Sequence, residues 1–96
     1  MSRINIFEYA GEFAENKDIA RKLRIEVLEP TLTKGDDIVL DFDKVQGVTQ
    51  SFVHALISDL FRKFGNSVLD RIEFKRCNET AKKIITIVTE YMQEAD

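Results

Sequence analysis

The run Ile38-Val39-Leu40-Asp41-Phe42 constrains this chain more than any other stretch. Four of its five residues are apolar, so an extended segment here is greasy on both faces. That pattern suits a central strand covered by helices on each side. A polar turn, Lys34-Gly35-Asp36-Asp37, precedes it, and a loop around Gly47, from Asp43 to Val48, follows it. The rest of the chain must supply the cover.

Three segments have the period to do so. Asn16 can cap a helix with Asp18 in its first turn, where Ile19, Leu23 and Val27 recur at four-residue spacing and Ala20 and Leu28 widen the stripe. Pro30 disfavours helical backbone at Glu29, which predicts that this helix ends or kinks there. Thr49 can cap a second helix over Gln50–Phe64, with Val53, Leu56, Ile57, Leu60, Phe61 and Phe64 on one face and Gly65-Asn66 as its stop. Asn78 can cap a third, whose buried line is Ala81, Ile84, Ile85, Val88 and Met92. Ile87 and Tyr91 flank that line, and spacing alone leaves them open between core and contact patch.

Two further strands are expected. Arg3–Tyr9 is rich in β-branched and aromatic residues, and Arg71-Ile72-Glu73-Phe74-Lys75 alternates as a strand near a sheet edge does. Gly11–Ala14 suits a short extra strand or a turn. The resulting order predicts one α/β domain over residues 1–96, built on a small mixed, partly parallel sheet of three to four strands packed with helices and joined by right-handed crossovers.

With 44% apolar residues, a chain of 96 residues can bury one core without staples. Its formal charge of −3 is spread over interleaved acids and bases. The densest basic stretch, Lys17 to Arg24, also carries Asp18, so no phosphate-backbone footprint is present and no nucleic-acid partner is expected. Cys77 and His54 are the only residues of their kinds, which rules out a disulfide within the chain, a zinc thiolate cluster and a His-rich site. The N-terminal residues lack an apolar stretch of signal-peptide length, and no run approaches the roughly 20 apolar residues of a membrane helix. A cytoplasmic location with no membrane contact is the expectation. The four glycines are scattered, so no phosphate-cradling loop forms. No cofactor and no metal are expected.

Two constellations could carry function. Asp41 and Asp43 stand at the carboxyl end of the central strand, where ligands of open α/β sheets gather, and could hold Mg²⁺ or transfer phosphate. The phrase Val39-Leu40-Asp41-Phe42-Asp43 is similar to the first motif of the haloacid-dehalogenase phosphotransferases, although Val45 stands where that motif has Thr or Ser. The plain alternative is that both carboxylates bind backbone amides in the turn. The second constellation is the polar face of the Gln50–Phe64 helix, where Ser51, His54, Ala55, Ser58 and Arg62 lie three and four residues apart. Ser51 falls in the first turn, where free N–H groups and the helix dipole favour negative charge. A phosphate there would add about −1.5 to −2 charges to the surface. A Ser51–His54 dyad lacks the strained elbow and the orienting acid that serine nucleophiles use. Cys77, before the last helix and beside Arg76, reads as a small residue at a strand end.

From Ile38 to Leu56 the order is an apolar strand, Asp-Phe, a short loop, then Thr49-Gln50-Ser51-Phe52-Val53-His54-Ala55-Leu56. This resembles the STAS-like domains of unknown function, relatives of the STAS modules of anti-sigma-factor antagonists. The likeness runs from about Asn16 to Tyr91. In such antagonists a kinase-like ATPase phosphorylates the second Ser of an Asp-Ser-Ser-Gly motif. Set on this chain, the motif falls on Thr49, Gln50, Ser51 and Phe52, so Ser51 takes the acceptor position while Thr49 and Phe52 replace the acid and the glycine. The resemblance implies a non-catalytic regulatory module that docks on a histidine-kinase-like ATPase or another regulator through Val48, Thr49, Ser51, His54, Ala55, Ser58 and Arg62. The rival readings are an Mg²⁺-dependent phosphotransfer domain on Asp41 and Asp43, and a homo-oligomer assembling through Ile87, Tyr91 and the edge strand at Arg71–Lys75.

Overall fold

The structure, a computed structural model, describes residues 1–94. Ser2–Asn5 (β1), Ile38–Asp41 (β3) and Ile72–Lys75 (β5) form a three-stranded sheet with β3 in the middle. Phe13–Ala14 (β2) and Gly47–Val48 (β4) pair as a separate ribbon. Every pair is parallel, with Ile4 opposite Leu40 and Leu40 opposite Phe74. The expected α/β architecture is present, and its sheets are parallel throughout because helical segments return the chain between successive strands of the main sheet.

The helices are Ile6–Ala10 (α1), Lys17–Leu23 (α2), Glu29–Thr33 (α3), Gln50–Phe64 (α4) and Glu79–Glu94 (α5). Their starts are chemically marked. Asn16 Oδ1 accepts from the Asp18 N–H at 2.8 Å, and Asn78 Oδ1 accepts from the Ala81 N–H at 2.8 Å. At the end of α4, Gly65 adopts φ 83° and its N–H returns to the Phe61 carbonyl.

Two expectations are corrected. Arg3–Tyr9 is not one strand: pairing stops at Asn5, and α1 turns Ile6 into the core while Tyr9 stays exposed. The residues that suggest a strand are there because they fill a half-buried layer, which a short helix can also do. Nor does the helix capped by Asn16 end at Pro30. A π-helical stretch, Arg24–Leu28, joins α2 to α3, with the Glu29 N–H bonded five residues back to Arg24. The wider turn arrives just before a residue with no N–H to give, so the helix continues to Thr33 with Pro30 in the first turn of α3. Thr31 Oγ1 donates to the Val27 carbonyl at 2.7 Å across the same junction.

Ile4, Ile38, Leu40 and Ile72 point into a core shared with Leu23, Leu28, Phe52, Leu56, Leu60 and Val88. The other face of the main sheet carries Arg3, Val39 and Glu73 in register, then Asn5, Asp41 and Lys75. Val39 is buried yet lies outside the contiguous core, in a shallow depression with Met1, Arg3 and Lys75. Long charged side chains, and not a second layer of helices, therefore roof this side of the strand.

Candidate functional site

The candidate site grows from the start of α4. Thr49, with extended backbone, accepts the Phe52 N–H on its hydroxyl at 3.1 Å and so fixes where the helix begins. Ser51 Oγ lies 3.2 Å from Thr49 Oγ1, so its hydrogen bond is to the cap and not to His54. Six residues of α4 from Phe52 to Phe61 turn into the core. The opposite side presents Ser51, His54 and Arg62 exposed, with Ala55 and Ser58 half-buried. These five sequence-selected positions share one surface.

That surface is one wall of a groove. The other wall is α5, where Val88 and Met92 are buried while Ile87 and Tyr91 are 48% and 65% exposed. Ile87 and Tyr91 are thus exposed apolar residues, not core. A hollow of about 530 Å³ lies between Ser51, His54 and Ala55 on one side and Ile87 and Tyr91 on the other, with Lys17 of α2 at its edge. A second, of about 360 Å³, runs on past Ser58 to Arg62. His54 and Tyr91 border both, so the hollows adjoin.

Val48 does not belong to this surface. It is buried and pairs with Ala14 in the β2–β4 ribbon, where an apolar residue just before a helix cap closes the core. Thr49 is half-buried and its hydroxyl is engaged in capping. Phe52, at the motif's glycine position, is completely buried, so its ring does not obstruct the approach to Ser51.

The carboxylates behave differently from each other. Asp41 is buried and accepts from Arg3 at 2.9 Å, from Arg76 at 2.7 Å and from the Asp43 N–H at 2.9 Å. Burial alone would push its carboxyl up. The Asp43 amide and the two guanidinium groups outweigh that and hold it below the usual carboxylate range. The Arg76 guanidinium is raised in turn by its hydrogen bond to Asp41. Arg76 takes φ 55°, a left-handed backbone uncommon outside glycine, and its side chain reaches back over the end of β3. Asp43 is exposed and sits 3.6 Å from Arg76. With Oδ2 held by two guanidinium groups and Oδ1 by the Asp43 amide, Asp41 is an ion-pair anchor and is not presented to a metal ion. Among the described residues, no three His, Cys, Asp or Glu side chains are grouped to hold a metal. Burial pushes the Cys77 thiol up, which keeps it from a reactive thiolate.

Arg24 is the residue that sequence reasoning missed. It is buried in the π-helical stretch, where Nε meets Glu29 at 3.2 Å and Nη1 meets both the Ala55 carbonyl at 2.9 Å and Asp59 at 3.0 Å. Asp59 also pairs with Arg62 at 2.8 Å, and Glu29 with Lys63 at 3.3 Å. The chain of charges therefore runs from the interior to the groove. Its trace in the sequence is spacing: Arg24 falls four residues from both Ala20 and Leu28, inside the apolar stripe.

A protein-family model described as a STAS-like domain of unknown function (DUF4325) matches residues 20–82. No curated protein and no solved structure matches the chain. The matched span contains all of α4 but ends before Ile87 and Tyr91, so one wall of the groove lies beyond it. No helix among the described residues is long and apolar enough to cross a membrane.

Proposed function

The chain belongs to the STAS-like domains of unknown function, and from that premise we propose that it is a non-catalytic regulatory module that docks on a protein partner through the outer face of α4. The observation that carries this reading is the joint placement of Ser51, His54, Ala55, Ser58 and Arg62 along two adjoining hollows against α5. The partner to test first is a histidine-kinase-like ATPase. Ser51 is the candidate phosphoacceptor, since it is exposed in the first turn of α4, where an added phosphate would meet free N–H groups and the positive end of the helix dipole. Titrating such an ATPase into labelled protein is expected to shift the amides of Ser51, His54, Ala55 and Ser58. Incubation with the ATPase and ATP should add one phosphate mass at Ser51. Shifts confined to another surface would overturn the docking reading, and an unmodified Ser51 would remove the phosphoacceptor role.

Self-association is a second reading, favoured by the exposure of Ile87 and Tyr91. It predicts a scattering mass that rises with concentration and returns to the monomer value in Tyr91→Ser. A phosphotransfer role for Asp41 and Asp43 has the geometry against it, because Asp41 would have to exchange two arginines for a cation.

A further inference from the structure

We propose that the groove between α4 and α5 receives an amphipathic helix of the partner whose polar flanks are acidic. This rests on the docking reading above and adds the chemistry of the occupant. The groove is apolar on both walls, with Ala55 on one side and Ile87 and Tyr91 on the other. Its two ends carry cations, Lys17 beside Ser51 and Arg62 beyond Ser58. Among the described residues that line either hollow there is no carboxylate, although the chain has 17 acidic residues against 14 basic ones. A lining that carries cations and no carboxylate favours an acidic visitor.

Size fits as well as sign. From Ser51 to Arg62 the wall of α4 rises about 16 Å at roughly 1.5 Å per residue, which is three turns of an incoming helix. That length offers apolar anchors at i, i+3 or i+4 and i+7 to the Ile87–Tyr91 side, the spacing by which helices fill grooves. Arg62 keeps charge to offer, because its partner Asp59 is shared with the buried Arg24. An extended basic segment has neither the anchors nor the sign, and a second copy of this chain would have to bring an acidic flank of its own.

Two synthetic helical peptides of about 18 residues, roughly five turns, test the inference. They share one leucine stripe and differ only in flanking Glu or Lys. The acidic peptide is expected to bind about tenfold tighter at low salt, in keeping with two exposed charge pairs, and to shift the amides of Ser51, His54, Ala55, Ser58, Ile87 and Tyr91. Lys17→Glu with Arg62→Glu should reverse the preference, and Ile87→Ser should weaken both peptides alike. All three side chains are exposed, so the fold should survive the changes. Equal affinity for the two peptides, shifts on another surface, or sedimentation showing a second copy already seated in the groove would overturn it. If the peptides fail while an ATPase still shifts the α4 amides, the acidic helix is wrong and the docking surface stands.

Discussion

At the carboxyl end of β3, Asp41 keeps a charge away from water because three donors surround it. Asp41→Asn keeps the shape and removes the charge. Its two arginines are half-exposed and can be rehydrated, so the loss should be about 2 kcal/mol, below the 3–5 typical when a buried pair loses one member. The folded carboxyl titrates lower than the unfolded one, so its contribution is complete above the unfolded value near about 3.9 and fades as pH falls through the lowered folded value. Urea unfolding of parent and variant should therefore show the full gap at neutral pH and a shrinking one in acid. A gap that widens on acidification would contradict this account. Arg24 offers the converse case, a buried cation shared by Glu29, Asp59 and the Ala55 carbonyl. Removing it leaves Glu29 and Asp59 with only the exposed Lys63 and Arg62 as partners, and Arg24→Ala should lower unfolding free energy by about 2–4 kcal/mol.

Among the elements, α4 depends on its first residue before the helix proper. Thr49→Ala frees the Phe52 N–H and should cost about 1 kcal/mol. It should also speed amide exchange through Ser51 and Phe52 while leaving Leu60 unchanged. Helices α4 and α5 are legible in the sequence because a wide apolar stripe, a polar cap and a glycine or asparagine agree with one another. Of the expected α4 stripe, Phe64 is only half-buried, and Phe52 is a core residue that the expected stripe left out. The first strand and the helix through Pro30 are less legible for physical reasons. Ile4 and Ile6 fit either a strand or the junction of a strand with a helical turn, since both place them inside. Pro30 removes one hydrogen bond, but the π-helical widening at Arg24–Leu28 reroutes the bonds around it, and no pattern of residue types announces that rerouting. The buried stripe Ala20, Arg24, Leu28 and Leu32 steps by four, which in a plain α-helix drifts about 40° each time. A wider turn takes up part of that drift.

Across the whole molecule, β3 is the one strand of its sheet with a neighbour on each side, while β1 and β5 are both edges. Native-state hydrogen exchange should find the slowest amides in Ile38–Asp41 and markedly faster ones in the two-residue ribbon of β2 and β4. Uniform protection across the two sheets would count against this hierarchy. The groove is a property of this scale as well. Its walls lie far apart in the chain, and only the packing of α4 beside α5 reveals that Ser51 and Tyr91 face the same space. The polar face of α4 could be read in advance, and Ile87 and Tyr91 could be marked as open between core and surface, but that the two face each other could not. Arg24 grips the backbone of Ala55 from behind while Ala55 forms part of the visible wall in front. On the proposed docking reading, an interior guanidinium is the back-stop against which a bound partner would press. A genetic screen for lost binding should accordingly return substitutions at position 24 alongside those on the outside, and Arg24→Lys should weaken the complex while the protein remains folded by circular dichroism.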